Sequence, residues 1–269
     1  MPNIMDSLYN MRLLDDLARK ETFIHNIHPL AKLLTTVVYL AVVVSFGRYE
    51  IVSLLPFIFY SVVLFALGDL PVAPILKRVL LAGPFIIGIG ILNPCFDRQV
   101  MEVGGIAVSR GWATFFSLLL KCVLTVTAAL ILIATTGVDK LAGALRMLKV
   151  PRLFVLQFLL TYRYISVLTE EVARMWRAYS LRAPAQRGIH RSVWGSFAGQ
   201  LVLRTFERAQ HVYQAMCLRG FAGEYHTGGC GGLKAGDLVY LAGWVLFFAL
   251  ARVYNIPMLI GLMVTGVGR

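Results

Sequence analysis

Two short stretches of the chain end in the same order of residue types. Residues 178–184 read AYSLRAP and residues 215–221 read AMCLRGF, so each presents a leucine, an arginine and a small residue in succession. A guanidinium is a rigid fork of donors that suits carboxylates and backbone carbonyls. A small residue beside it allows close approach to a groove. The repetition predicts that Arg182 and Arg219 engage two copies of one partner.

The same endings also have a purely structural interpretation. A helix C-terminus favours a nearby cation through the helix dipole, and glycine often follows the last helical residue. This explains one ending well. Two endings with matching residue order favour the binding interpretation, although the sequence leaves the structural alternative open.

Other residues that could do chemistry are few. His25 and His28 are three positions apart and could hold a metal ion, but no third ligand is evident. The chain has no GxxxxGK[ST] phosphate-binding loop, and neither a Ser-His-Asp set nor a pair of carboxylates can be argued. We therefore predict no catalytic site, metal site or bound cofactor in this chain. The cysteines form no CxxC pair; they are Cys95, Cys122, Cys217 and Cys230.

Lys121 is the one charge well inside a long apolar run. Charged residues within membrane segments are functional candidates by default. Its long stem could reach the membrane interface, or the ammonium could face a partner subunit, and we expect one of these two arrangements.

Long apolar runs must position all of these residues. Of the 269 residues, 58% are hydrophobic and 15% are charged, whereas soluble domains carry about 25% charged residues. A membrane helix needs about 20 mostly apolar residues. The sequence predicts an all-α polytopic membrane protein with about five transmembrane helices, and residues 256–267 could add a sixth. The predicted spans cover residues 30–46, 51–67, 78–92, 112–136 and 237–254.

Lysines and arginines predict the orientation and the domains. Residues 137–236 hold 14 of them against five acids, and cytoplasmic segments are enriched in Lys and Arg. We expect this segment and the N terminus in the cytoplasm, and anionic lipid or an acidic protein as partner rather than nucleic acid. Three regions follow: residues 1–136 with the first four spans, a cytoplasmic domain at 137–236, and residues 237–269 with the last span.

The cytoplasmic segment reads as helical. We predict a short helix at 138–149 that stops before Pro151, and long helices at 152–181 and about 191–219. Glu170 and Arg174 form a helix-supporting pair four residues apart. Apolar residues recur at helical spacing. The predicted faces are Ile165, Leu168, Val172, Met175 and Tyr179 on the first long helix, and Val202, Phe206, Ala209, Tyr213 and Met216 on the second.

Two further predictions concern smaller features. Leu8, Met11, Leu14 and Leu17 stand among charges, so the N-terminal stretch is either an amphipathic helix on the membrane surface or a loosely ordered arm. Small residues in the third span allow close helix packing. These are Gly83, Gly88 and Gly90.

Taken together, the chain resembles the transmembrane T component of energy-coupling factor transporters, and within it the CbiQ-like proteins of cobalt and nickel uptake. HPLAKLL at 28–34 looks like the family's start of the first span. The insert of about 100 residues after four spans matches its layout. SLRA at 180–183 and CLRG at 217–220 look like its two Ala-Arg-Gly-type coupling motifs, with Leu181, Leu218 and Ala183 as departures.

The resemblance implies a role in an ATP-driven importer of the bacterial or archaeal cytoplasmic membrane. Arg182 and Arg219 would anchor two helix ends in a CbiO-like ABC ATPase dimer, which binds ATP and magnesium. A CbiM-like membrane subunit would bind the transported Co²⁺ or Ni²⁺, and a small CbiN-like subunit could accompany it. The other contact residues implied are Ser180, Leu181, Ala183, Cys217, Leu218 and Gly220.

Alternative functions have their own sequence requirements. Vitamin importers use similar T components, so the substrate stays open. A free-standing carrier would show polar or broken helices in related halves, and no internal repeat of that kind is visible. A membrane-bound enzyme would need a cluster of histidines or acids at the membrane face, and none is visible in the sequence.

Overall fold

The computed structural model describes residues 18, 20, 22–47, 50–91, 100–103, 106–184, 188–223 and 232–254. The predicted N-terminal amphipathic helix and the possible sixth span at 256–267 lie outside these residues. The described chain divides into two compact units. We call residues 18–141 with 232–254 the membrane unit, and residues 142–223 the insert unit.

Helices lie at all five predicted apolar runs. α5 and α9 are each long and apolar enough to cross a membrane, while α2 and α3 are apolar but only 17 residues long. This confirms an all-α polytopic membrane protein. After a short helix α1 (Phe23–Asn26), the helices of this unit are α2 (Pro29–Ser45), α3 (Ile51–Leu67), α4 (Val72–Gly90), α5 (Arg110–Thr136) and α9 (Ala235–Val253).

Two details of the membrane unit differ from the sequence prediction. α4 begins at Val72, six residues before the predicted run, so Lys77 and Arg78 lie inside the helix. A hairpin that was not predicted precedes α5: strands β1 (Val100–Val103) and β2 (Ile106–Ser109) pair antiparallel, with Val103 opposite Ile106.

Aromatic rings form the core where α2, α3 and α9 meet. Tyr39 stacks on Tyr60 with ring centres 4.6 Å apart, and Tyr60 meets the edge of Trp244 at 4.8 Å. Phe57 and Phe248 are fully buried beside them. The polar tips are satisfied, since the Tyr39 hydroxyl donates to the Phe57 carbonyl at 3.1 Å. Buried hydroxyls with partners are compatible with an apolar core.

The predicted role of the α4 glycines is right at one position. A Cβ on Gly90 would lie 2.7 Å from Cδ2 of Phe115 on α5, so only glycine permits this approach. The expectation is wrong for Gly83 and Gly88, where an added Cβ would meet no described atom within 4 Å. Nearby on α4, the side chains of Leu80 and Leu81 are 73% and 81% exposed. Exposed leucines are expected on a surface that faces lipid.

The two long helices of the insert unit bury few of their residues. α6 (Val138–Met147) enters it from the membrane unit, and α7 (Arg152–Arg182), a 3-10 turn (Arg191–Val193) and α8 (Trp194–Leu218) follow. Val155 is the buried residue of α7, and α8 has none among its described residues. Such sparse burial is typical of helices that complete their packing against other molecules.

Candidate functional site

The first Leu-Arg ending closes α7. Arg182 is the last helical residue, and the backbone N–H of Ala183 donates to the Tyr179 carbonyl at 3.0 Å. The Ser180 hydroxyl turns back to the Arg177 carbonyl at 2.9 Å. Leu181 is 82% exposed, so it contributes almost nothing to packing within the insert unit.

The second ending closes α8 with a tighter turn. The N–H of Gly220 donates to the Cys217 carbonyl and that of Phe221 to the Met216 carbonyl, both at 3.0 Å. Gly220 has φ 83°, a left-handed conformation that suits glycine. Leu218 is 90% exposed, and Cys217 is also exposed.

The two endings therefore share the types of their side chains but differ in backbone conformation. Ala183 has φ −131°, outside the left-handed region, so the first ending does not need glycine where the second does. Helix capping accounts for Gly220. It does not account for Leu181 and Leu218, since neither capping arrangement uses a leucine side chain. The shared feature is an exposed leucine next to an exposed arginine at a helix end.

Both guanidinium groups are available for a ligand. Within the residues that the structure describes, no hydrogen bond or ion pair holds the side chain of Arg182 or of Arg219. A guanidinium of this kind can donate to carboxylates or carbonyls of a partner. The adjoining leucine can fill an apolar pocket. Each ending thus presents a hydrogen-bond donor and an apolar side chain, two groups that contacts between proteins commonly use.

One carboxylate joins the two long helices. Glu171 of α7 accepts hydrogen bonds from Arg174 on its own helix and from Arg204 on α8. The sequence named Glu170 as the helix-supporting partner of Arg174, and the structure shows Arg174 bound to the neighbouring Glu171. Hydrogen bonds from Arg204 and then Arg174 hold the pKa of Glu171 below its ordinary value of 4.5.

The predicted apolar face of α8 is largely uncovered. Val202, Phe206 and Tyr213 are exposed by 65%, 63% and 61%. Of the predicted face, Met216 lies on the half-buried side of α8. The other half-buried residues there are Phe197, Leu201, Thr205 and Val212. On α7 the prediction holds better, since Leu168, Val172, Met175 and Tyr179 are half-buried. Ile165 is 39% exposed.

Comparison with known proteins identifies the family. Residues 20–227 match the family described as cobalt transport protein, CbiQ, a stretch that contains HPLAKLL and both Leu-Arg endings. The chain belongs to the CbiQ family. The resemblance found in the sequence is confirmed, and membership makes the chain a component of a membrane transport system.

A curated archaeal protein is also similar to this CbiQ-family chain. It is the uncharacterized protein MJ1571 of Methanocaldococcus jannaschii, 25% identical over 244 residues, which cover 86% of this chain and 82% of that protein. The match extends over both units.

Lys121 of this CbiQ-family chain reaches the end of another helix. Its ammonium on α5 donates to the carbonyls of Phe46 and Gly47, at 2.6 and 3.2 Å, just past the C-terminus of α2. In the structure the stem of Lys121 therefore extends along α5 to the end of α2. A cation beside unpaired C-terminal carbonyls also compensates the helix dipole.

Arg252 reinforces the same end of α2. Its guanidinium donates to the Ser45 carbonyl at 3.3 Å, lies 4.2 Å from the centre of the Phe46 ring, and pairs with Glu50 at 3.6 Å. Neither Arg252 nor Glu50 was predicted. Both residues stand at the ends of apolar runs. The unpaired backbone groups of helix ends need partners there, so this position could have identified them as candidates.

Lys32, in the HPLAKLL stretch, forms the reciprocal contact at the opposite end of α2. It is 3% exposed, and its ammonium donates to the carbonyl of Thr135 in the last turn of α5 at 3.0 Å and to that of His25 at 3.4 Å. Each lysine thus sits on one helix and binds C-terminal carbonyls of the other. We call Lys32 and Lys121 the reciprocal lysines.

Asp237 joins α9 to the start of α2. Its carboxylate accepts from the backbone N–H of His28 at 2.8 Å and from that of Lys234 at 2.9 Å. The His28 ring caps α2 by accepting from the Leu30 N–H at 3.2 Å, and the His25 ring lies 2.6 Å from the Thr22 hydroxyl. Among the described residues no set of three metal-ligating side chains converges. The contacts seen for the two histidines are a helix cap and a local hydrogen bond.

Proposed function

We propose that this chain is the coupling subunit, the T component, of an energy-coupling factor ABC importer. In this proposal the two Leu-Arg endings dock on two ABC ATPase subunits, and α7 and α8 transmit their motion to a separate substrate-binding membrane subunit. The observation that carries it is the pair of exposed leucines, Leu181 at 82% and Leu218 at 90%. Each stands beside an arginine whose guanidinium has no hydrogen-bond or ion-pair partner among the described residues. CbiQ-family membership supports a transport role.

The charge distribution supports an orientation for this proposal. The 14 lysines and arginines of residues 137–236 against five acids favour the cytoplasmic side, where ATP is available. The N terminus shares that side. ATP and magnesium belong to the ATPase subunits, and this chain contributes no catalytic site.

The substrate in the proposal is Co²⁺, with Ni²⁺ as the alternative. Family membership favours cobalt. The transported ion would be bound by the CbiM-like subunit, with a CbiN-like subunit as a possible companion. Uptake of radiolabelled Co²⁺ against Ni²⁺ by the assembled complex distinguishes the two, and uptake of a vitamin with neither metal would assign the chain to a vitamin importer.

Charge reversal at both endings tests the coupling role. The chain is expressed with the genes beside its own, and ATPase capture and metal uptake are measured. Arg182→Glu with Arg219→Glu should abolish both, because truncating a docked arginine costs roughly 2–5 kcal/mol when its partner is left unpaired. Arg163→Glu with Arg208→Glu is the matched control, since both arginines are exposed on the same helices away from their ends.

Two results would overturn the coupling role. In one, the double variant at the endings keeps both capture and uptake. In the other, the chain reconstituted alone transports metal without any ATPase, which would make it a free-standing carrier.

A further inference from the structure

The turn between α6 and α7 exposes apolar side chains among cations. Met147 and Leu148 at the end of α6 are 42% and 43% exposed, and Leu153 and Phe154 at the start of α7 are 72% and 67% exposed. Lys149 and Arg152 stand between them and are exposed as well. We call these six residues the basic elbow.

The backbone holds this arrangement in place. The N–H of Lys149 donates to the Arg146 carbonyl at 3.1 Å, and that of Val150 to the Leu145 carbonyl at 3.3 Å, which closes α6. Lys149 has φ 61°, a left-handed conformation that glycine or asparagine usually takes. Pro151 is then the residue immediately before α7, at its N-cap position.

Charge complementarity selects the partner. Residues 140–169 contain five lysines and arginines and no aspartate or glutamate. Apolar side chains flanked by basic residues without acids are characteristic of segments that lie in the interface of anionic membranes. Lysine and arginine stems can lie along the apolar side chains while their charges reach the headgroups.

Chain continuity limits the distance between the elbow and the end of α5. Only α6, a helix of 10 residues, separates it from the end of α5, and such a helix is about 15 Å long. The exposed stripe of α8 has a different charge composition. Arg204 and Arg208 stand there with Glu207 and with glutamines 200, 210 and 214, and this mixture of both charges and amides suits a protein surface better than lipid.

We propose that the basic elbow is a lipid-contact site, with Leu153 and Phe154 inserted among the acyl chains and Lys149 and Arg152 on anionic headgroups. This inference does not rest on ATPase docking. It assigns to the start of α7 a fixed attachment at the membrane surface, whereas the docking proposal concerns the opposite end of the same helix.

Spin-label accessibility in nanodiscs tests this site. The full chain, with Cys95, Cys122, Cys217 and Cys230 replaced by serine or alanine, carries a nitroxide at Leu153→Cys. The matched control carries it at Val202→Cys, since Val202 is an apolar residue of similar exposure, 65%. Discs contain phosphatidylcholine alone or with phosphatidylglycerol. Collisions with oxygen, which enters the bilayer, are compared with collisions with a water-soluble nickel chelate.

In anionic discs the ratio of oxygen to nickel accessibility should be several-fold higher at position 153 than at position 202. Lys149→Asn with Arg152→Gln should lower the ratio at 153 in anionic discs, and asparagine preserves the left-handed backbone at position 149. A water-like ratio at 153 in both lipids would overturn the proposal, as would a ratio indifferent to phosphatidylglycerol and to the charge variant. Shielding that arises only on adding the ATPase or the substrate-binding subunit would show a protein-docking surface instead.

Discussion

At the scale of single residues, the exposed leucines are the least expected feature of the endings. Burying a leucine side chain contributes about 1.5–3 kcal/mol. Leu181 and Leu218 forgo nearly all of this within the insert unit, at 82% and 90% exposure. The sequence left open whether they serve the helix or the contact, and their exposure excludes packing within the unit.

Truncation of these leucines should separate binding from stability. Leu181→Ala and Leu218→Ala should leave the thermal unfolding temperature unchanged, because the removed atoms are already in water. Each should weaken ATPase binding by roughly 5- to 30-fold, the equivalent of about 1–2 kcal/mol, measured by titration of ATPase onto the detergent-solubilised chain. Leu203→Ala, at a 61% exposed position of α8, should change neither quantity. Equal losses for all three leucines would argue against a specific contact.

Asp237 allows a nearly isosteric test of the α9–α2 junction. Asp237→Asn replaces one of two accepting oxygens by an NH₂ group, so the backbone N–H of either His28 or Lys234 loses its acceptor. Leaving a buried donor unpaired costs about 1–3 kcal/mol. We expect a lower unfolding temperature by circular dichroism in detergent. Asp139→Asn, at an exposed position of α6, should have little effect, and an unchanged midpoint for Asp237→Asn would show that this carboxylate is dispensable.

At the scale of elements, the reciprocal lysines fix α2 to α5 at both ends. Lys32→Met and Lys121→Met keep the long stem but remove the donors to Thr135, Phe46 and Gly47. Each should lower the free energy of unfolding by about 1–3 kcal/mol, since C-terminal carbonyls are left unpaired. Lys32 and Phe46 are 14 residues apart along the chain, which separates the two contacts by about 21 Å.

Because of this distance, the double lysine variant should show additive loss, within about 0.3–0.5 kcal/mol. Chemical denaturation of the two single variants and the double variant in mixed micelles measures the sum. A double variant no less stable than one single variant would mean that both lysines act through one shared rearrangement.

The Glu171 bridge predicts a pH dependence for the pairing of α7 with α8. The pKa of Glu171 is lower folded than its ordinary 4.5, so its contribution is fully present above about pH 4.5 and is lost as pH falls through the folded value. The difference in unfolding temperature between wild type and Glu171→Gln should therefore be largest at pH 6–7 and shrink below pH 4.5. Exposed ion pairs contribute little, so the effect should be small. Glu170→Gln is the control, and a difference that grows on acidification would contradict the bridge.

Helix positions were largely predictable here, but partners were not. Apolar length and proline placed α2, α3, α5 and α7 within a few residues. Periodicity named Val202, Phe206 and Tyr213 as the buried side of α8, yet an apolar stripe looks the same whether its own chain or another molecule covers it. The carbonyl partners of Lys32 and Lys121 come from distant helices, so no local pattern identifies them. The sequence shows Asp237 as an acid at the start of an apolar run, but it does not identify the backbone N–H of His28 as its partner.

At the scale of the whole molecule, the two units differ in how much of their apolar surface is covered by contacts within the chain. The membrane unit packs an aromatic core and binds the end of α2 and the last turn of α5 by internal contacts. In the insert unit the pair Glu171–Arg204 joins α7 to α8, and both helices expose apolar residues. Along their helices, the arginine endings lie about 16 Å beyond Glu171 and about 22 Å beyond Arg204. Such an arrangement suits a part that binds several partners at separate points.

If the two Leu-Arg endings are separate sites, each should bind one ATPase subunit. If they form one composite site, the chain should bind a single subunit. With an ATPase variant kept monomeric, native mass spectrometry of the chain should show two ATPase subunits bound. Arg182→Glu and Arg219→Glu should each reduce this number to one, and the double variant should bind none, whereas Arg163→Glu should still bind two. With the dimeric ATPase, either single variant should lose the avidity of bivalent attachment, about 10²–10⁴-fold. If one charge reversal alone removes both monomers, the endings form a single site, and the duplication of Leu-Arg does not correspond to two copies of a partner.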